Sequence, residues 1–267
     1  MELEDVIGPV GLFVTHYGLF GVRTRDEVQA CRFLNLVFGA LHLNGVPSFA
    51  VRPDELGTFK LDSETRSFMA TGIPGTYRSV GNKDTALNRF QQPKPVTIDQ
   101  ARSACRLAEK FDTDLRLPRY LPLLLDSYGR LASREWDYTF YSAWMIIETK
   151  IVLDWDEVAK SEIISQDEYN VLRAAKIADP GVKDLPKDVH KISDLSVKHK
   201  LTALTLVGRL PKVNYVRYDR LRERRNEILH PDIPATEADA KDCYEAAEAI
   251  VRARVSELQQ GSPPKTR

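Results

Sequence analysis

The residues best suited to chemistry stand close together near the C-terminus, in the string Arg225-Asn226-Glu227-Ile228-Leu229-His230. The apolar pattern predicts a helix over 215–230 that Pro231 stops, and on a helix Asn226 and His230, four residues apart, share one face. Histidine exchanges protons near neutral pH, and the dipole at a helix C-terminus favours its charged form. Arginine holds a phosphate in a fork and neutralises charge in the transition state. The string therefore predicts phosphodiester cleavage, with Asn226 orienting the imidazole or a ribose.

Charge is unevenly distributed along the chain. The whole protein carries 38 basic and 38 acidic residues, which argues against binding nucleic acid through overall positive charge. Six basic residues face three acidic ones between Lys212 and His230, whereas seven acidic residues face three basic ones between Asp154 and Asp179. Segregated charge is what a site for an anionic substrate requires, although charge blocks on amphipathic helices also form solvated faces. We expect the substrate to be bound by Arg217, Arg222 and Arg224.

The string at 225–230 resembles the RNxxxH form of the motif of the HEPN family, the higher eukaryote and prokaryote nucleotide-binding domain. In that family the motif ends a late helix after a polar basic run, and an alanine- and glutamate-rich helix follows, as 235–258 does here. The apolar helix around Trp144 and Glu148 resembles the family's upstream core helix. The resemblance covers about residues 97–260. Many members have Gly or Asp after the histidine, where this chain has Pro231.

The resemblance implies a metal-independent endoribonuclease, of the kind found among toxins and abortive-infection proteins of antiviral defence. It implies a homodimer in which two motifs line one cleft and bind RNA. His230 would activate the ribose 2′-hydroxyl or protonate the leaving 5′-oxygen, Arg225 would hold the scissile phosphate, and Asn226 would have a supporting role. The product would carry a 2′,3′-cyclic phosphate, and no metal or cofactor would be needed.

Other interpretations of the sequence remain open. The helical part could be a catalytically silent module for dimerisation or nucleotide binding, in which Arg225 is a ligand or an ion-pair residue. Glu148, Lys150 and Asp154 could form a metal-nuclease cluster, but on a helix residues two apart point in different directions. His42 lies in an apolar helix, which favours a place in the core. The three cysteines form no CxxC pair, so neither a zinc site nor a disulfide scaffold is indicated.

The elements that must position the motif fall on either side of a proline-containing linker at 90–96. We predict an α+β protein, with a small α/β module over 1–90, an all-α HEPN-like bundle over 97–260 and a flexible tail over 261–267. The predicted bundle helices are 97–111, 121–131, 137–160, 165–178, 193–207, 215–230 and 236–258. The first module is predicted to hold a buried helix over 28–43, strands within 10–22, 49–51 and 58–61, and a loop over 70–82.

Two capping boxes are predicted, one from Thr24 to Glu27 and one from Thr97 to Gln100. No run of residues is long and apolar enough to span a bilayer, and the acidic N-terminus argues against a secretion signal, so a cytoplasmic protein is expected. The N-terminal module could receive a regulatory partner or trigger.

Overall fold

A computed structural model describes residues 3–7, 12–15, 20–22, 24, 26–62, 67–72, 96–161, 170, 196–229 and 233–261. These residues are mostly helical, which confirms the predicted helical bundle. Within them the α-helices are α1 (Glu27–Leu43), α2 (Ile98–Asp112), α3 (Leu117–Ala132), α4 (Trp136–Ser161), α5 (Val197–Leu206), α6 (Lys212–Ile228) and α7 (Glu237–Gln259). Apart from residue 170, which is helical, the predicted helix over 165–178 lies outside the described residues, as do the linker over 90–95 and the tail beyond 261.

The described part of the first 72 residues contains five short strands. Strands β1 (Leu3–Ile7), β2 (Leu12–Thr15) and β3 (Phe20–Val22) form an antiparallel sheet in that order, and β4 (Thr58–Asp62) pairs antiparallel with β5 (Ser67–Gly72). The predicted strands within 10–22 and at 58–61 are confirmed. Strand β1 was not predicted, and residues 70–72 end a strand where a loop was predicted.

The predicted strand at 49–51 is wrong, because a side chain takes the hydrogen bonds that a neighbouring strand would make. The buried amide of Asn35 on α1 donates to the Val51 carbonyl oxygen over 2.9 Å and accepts from the Val51 N–H over 2.8 Å. The Cys31 thiol donates to the same carbonyl over 2.9 Å. This segment therefore lies along α1 without belonging to a sheet.

The helix starts show which local signals were sufficient. Thr97 and Gln100 form the predicted capping box at the start of α2. At α1 the predicted box is wrong, because the cap is Asp26, whose carboxylate accepts from the N–H groups of Val28 and Gln29 over 2.9 and 3.1 Å. The Thr24 hydroxyl accepts from the Asp26 N–H instead. A carboxylate is the stronger acceptor at the positive end of a helix.

Helix α1 precedes the predicted linker but belongs to the same hydrophobic core as the later helices. It packs against α2 and α3, and its buried residues form one cluster with those of α2 to α7. The approach to α3 is close: a methyl group on Gly39 would lie 2.7 Å from the Leu121 side chain. The division of the chain into domains at 90–97 stays a prediction, but α1 shares its hydrophobic core with the helices of the bundle.

The predicted core position of His42 is confirmed. His42 lies in the last turn of α1, is 7% exposed, and its Nε2 lies 2.7 Å from the Tyr244 hydroxyl of α7. The ring also meets Tyr128 of α3 edge-on at 4.6 Å between centroids. Beside it, Arg252 of α7 donates to the Leu43 carbonyl oxygen over 2.9 Å, so α7 caps the end of α1. None of the helices in the described part of the chain has the length and apolar character needed to cross a membrane.

Candidate functional site

Helix α6 carries most of the predicted site and ends before its histidine. The helix begins at Lys212 after Pro211, and Leu229 forms its C-cap, with an N–H that donates to the Arg225 carbonyl oxygen. The prediction of a helix through residue 230 is therefore too long. The residue before a proline disfavours helical conformation, and Pro231 supplies that constraint. His230 itself lies outside the described residues, so the expectation that Asn226 and His230 share a helix face has no support from α6.

Helix α6 is joined to α7 by ion pairs. The Arg217 guanidinium donates through Nε to the Asp242 carboxylate over 3.0 Å and through Nη2 to the Asp242 carbonyl oxygen over 2.9 Å. Arg220 donates to the same carboxylate over 2.5 Å. Arg224 donates through Nε to Asp239 over 3.0 Å. Successive arginines on one side of α6 thus meet two aspartates on α7.

Arg222, also predicted to bind substrate, is paired within its own helix. It donates to Asp219 over 2.7 Å and to Glu223 over 3.2 Å, and only 14% of its side chain is exposed. A phosphate would have to share or displace the carboxylate partners of Arg217, Arg222 and Arg224 in order to bind them. Their role in substrate binding stays a prediction.

Arg225 has a different environment from the other arginines of α6. It is half-buried and follows the buried Leu221 by four residues, so the two positions lie on one side of the helix. Its Nη1 donates to the amide oxygen of the exposed Asn226 over 3.2 Å. Among the described residues no carboxylate lies within ion-pair distance of Arg225. The structure therefore brings two of the three predicted catalytic residues into contact and leaves the Arg225 charge without a described counterion.

A groove of about 500 Å³ runs between α6 and α7, but its lining does not include Arg225. Its charged lining residues are Arg220, Arg224, Glu223, Glu227, Asp239 and Asp242. Four carboxylates against two guanidiniums give the groove the wrong sign for a phosphate. Arg225, the residue predicted to hold the phosphate, and this groove are therefore separate features of α6.

The ion pair between Arg224 and Asp239 keeps both of its charges near neutral pH. Burial alone would raise the pKa of Asp239, but the hydrogen bonds from Thr236 and Arg224 lower it below its ordinary value. Burial alone would lower the pKa of Arg224, but its bonds to Glu227 and Asp239 raise it. Both groups therefore keep their charges near neutral pH. On the buried side of α6, burial raises the pKa of Tyr218 to about 12, and its phenol therefore stays neutral.

The chain that leaves the α6–α7 connection is fixed from two sides. Arg224 Nη2 donates to the Pro234 carbonyl oxygen over 2.8 Å, and the Asp137 carboxylate of α4 accepts from the Ala235 N–H over 2.6 Å. Thr236 then caps α7 in a capping box with Asp239. The Thr-x-x-Asp spacing is the sequence signal of that box, which was not among the two boxes predicted. Asp137 had no local signal, because its contact spans 98 positions.

The residues of the metal-nuclease alternative have structural partners. Trp144 Nε1 donates to the Glu148 carboxylate over 2.8 Å, Lys150 pairs with Asp154, and Arg116 donates to Asp154 over 2.6 Å. Within the described residues, no three His, Cys, Asp or Glu side chains are grouped so that they could hold a metal ion. The three cysteines are buried free thiols.

Comparison with known proteins adds no relative to this description. No protein-family model matches the chain, and no match was found among the curated proteins or the solved structures.

Proposed function

We propose that the protein is a metal-independent endoribonuclease of HEPN type that works as a homodimer in a toxin or antiviral-defence setting in the cytoplasm. The observation that carries the proposal is the environment of Arg225 in the string 225–230. Four other arginines of α6 have carboxylate partners, whereas Arg225 has none among the described residues. A half-buried arginine without a described counterion is suited to an anionic ligand.

In this reaction Arg225 binds a non-bridging oxygen of the scissile phosphate and neutralises the charge that grows there. His230 from one chain removes the proton of the ribose 2′-hydroxyl, and that oxygen attacks phosphorus. The bond to the 5′-oxygen breaks, and the leaving oxygen takes a proton from a second imidazole or from water. The products are a 2′,3′-cyclic phosphate and a 5′-hydroxyl. Asn226 accepts a hydrogen bond from Arg225 and keeps that guanidinium beside the helix end.

The direct test is cleavage of RNA by purified protein in EDTA. We expect the wild type to cut RNA and His230→Ala to lower the rate by roughly 10²–10⁴-fold, the range of a general acid–base group. Arg225→Ala should lower it by roughly 10²–10³-fold, the range for loss of one donor that stabilises transition-state charge. Arg220→Ala is the matched control, because it removes the same charge from the same helix at a side chain that is 67% exposed and paired with Asp242. Intact RNA with the wild type, or equal rates for the three variants, would contradict the proposal.

The proposed α+β protein has two parts. An α/β module over 1–90 receives a regulatory trigger, and a HEPN-like bundle over 97–260 cuts the RNA. A deletion of residues 1–90 is not a clean test of that regulation, because it removes α1 from the common core. Deletion of 1–22 spares α1. We expect this deletion to change the response to a trigger and to preserve the basal cleavage rate; an unchanged response would remove the regulatory role from the deleted residues.

A second candidate is a catalytically silent module for dimerisation or nucleotide binding. It is favoured by the carboxylate partners of Arg217, Arg220, Arg222 and Arg224, which offset most of the positive charge of α6. Growth of cells that express the protein separates the candidates. A ribonuclease slows growth, and the Arg225→Ala variant relieves the effect. A binding module leaves growth unchanged whether the wild type or the variant is expressed.

A further inference from the structure

Arg224 joins three separate points around the α6–α7 connection. Its Nη1 donates to Glu227 on α6 over 3.0 Å, its Nε to Asp239 on α7 over 3.0 Å, and its Nη2 to the Pro234 carbonyl oxygen over 2.8 Å. The side chain is only 18% exposed. One guanidinium thus ties the last two turns of α6 to the chain that follows the connection.

The contacts of Arg224 leave little of it for a substrate. All three of its nitrogen atoms donate to protein oxygens, and two of the three acceptor groups are carboxylates. A phosphate that approached Arg224 would meet the charges of Glu227 and Asp239 at the same place. By contrast, the adjacent Arg225 has no described carboxylate partner. Neighbouring arginines on one helix therefore have opposite environments.

We propose that Arg224 is a positioning residue that fixes Pro234 and the start of α7 relative to α6, and that it does not bind the substrate. Together with Asp137, which holds the Ala235 N–H, it fixes the chain on the C-terminal side of the connection relative to α6 and α4. The activity part of this inference rests on the proposed function, because the connection contains His230 in the sequence. Misplacing a catalytic group by about 1 Å is enough to lower a rate by about a hundredfold.

The test compares Arg224→Gln and Arg224→Lys with the matched controls Arg220→Gln and Arg220→Lys. Arg220 lies one turn earlier on α6, carries the same charge and also has an aspartate partner on α7, but has no described contact with residues 233–239. Lysine keeps the charge that would bind a phosphate, but a single nitrogen is unable to reproduce the three-point contact. Single-turnover cleavage is measured as a function of RNA concentration, and amide hydrogen exchange is measured over 229–240 without RNA.

We expect both Arg224 variants to lower the maximal cleavage rate by about ten- to a hundredfold and to leave the half-saturating RNA concentration within about threefold of the wild type. We also expect faster exchange at Ala235 and Thr236 than in the Arg220 variants. A raised half-saturating concentration with an unchanged maximal rate, or full rescue by lysine, would assign Arg224 to substrate binding and overturn the inference.

The exchange experiment separates this inference from the proposed function. If wild-type protein leaves RNA intact, the ribonuclease proposal fails, and faster exchange at 235–236 in the Arg224 variants alone still supports the positioning role. Equal exchange in the Arg224 and Arg220 variants would overturn that role whatever the wild type does to RNA. A circular dichroism melt of each variant identifies any loss of exchange protection that comes from global unfolding.

Discussion

Helices α4 and α6 lie in one fold but are held there by different forces. Helix α4 buries apolar residues along most of its length, among them Phe140, Ile147 and Trp155. Helix α6 has four buried residues, Tyr215, Tyr218, Leu221 and Ile228, and its remaining contacts with α7 include ion pairs. Burial of apolar surface is insensitive to direction, whereas a guanidinium fork fixes distance and angle. The candidate site thus belongs to the helix that is placed by directional contacts.

The largest expected effect comes from the apolar side of this comparison. Phe140→Ala on α4 removes a ring that is fully buried in the common core, so it should lower the free energy of unfolding by about 3–5 kcal/mol. Urea denaturation measures the change. Arg220→Ala on α6 is the counterpart and should cost less than about 1 kcal/mol, since its side chain is exposed. Similar losses for the two variants would remove the contrast between the helices.

A smaller effect is expected where α1 meets α3. Gly39→Ala places a methyl group 2.7 Å from the Leu121 side chain, so the helices must separate, and we expect a loss of about 1–3 kcal/mol in the free energy of unfolding. Gly129→Ala on α3 is the control, because its methyl group would lie 3.2 Å from the nearest atom of the Phe49 side chain. Phe49 is half-buried, so its ring can shift to make room. Equal stability of wild type and Gly39→Ala would show that α1 is not tightly bound to the bundle.

The core also predicts a dependence on pH. Burial lowers the pKa of His42, and the charges of Glu248 and Arg252, which act in opposite directions, are smaller influences. As the pH falls, His42 therefore binds a proton at a higher pH in the unfolded chain than in the folded chain. Above about pH 6.5, the pKa of His42 in the unfolded chain, the imidazole is neutral in both states and the protein keeps its full stability. The free energy of unfolding decreases as the pH falls from there toward the lower pKa of the folded state.

Urea denaturation between pH 8 and pH 5 measures this loss, with His42→Gln as the comparison. The glutamine keeps a polar group near Tyr244 and has no proton to gain, so its stability should fall less steeply over the same window. Equal slopes for the two proteins would show that the loss comes from other groups.

The smallest expected effect is on the charged side. Raising the salt concentration from 0.1 to 1 M shortens the Debye length from about 10 to about 3 Å, so each exposed ion pair between α6 and α7 should lose part of a contribution of about 0.2–1 kcal/mol. Amide exchange should quicken in α6 and stay constant in α4. Arg220→Gln, which has lost one of these pairs, should respond less to salt. An equal response in α4 would mean that the two helices open together.

Local signals in the sequence predicted local structure. Hydrophobic periodicity located the helices, and the spacing of Thr97 and Gln100 located the start of α2, because these signals act within one or two turns. The end of α6 was misplaced by two residues: its last residue is Ile228, and Leu229 is the C-cap.

Contacts between distant segments were not predictable in the same way. Nothing near Asp137 indicates its bond to Ala235, and nothing in α1 indicates that it shares a core with α7. The motif at 225–230 was found from residue types and spacing alone. Arg224 pairs with Asp239 of the next helix, whereas Arg225 has no carboxylate partner among the described residues, and only the assembled fold reveals this difference.

The bond between His42 and Tyr244 has a consequence for synthesis on the ribosome. The two residues are 202 positions apart, so at roughly 5–20 residues per second α1 is made roughly 10–40 s before its partner on α7. Throughout that interval the apolar face of α1 lacks the last helix of the core, and the Leu43 carbonyl lacks its cap from Arg252. Assembly of the core, and with it the geometry around α6, is therefore coupled to the synthesis of α7.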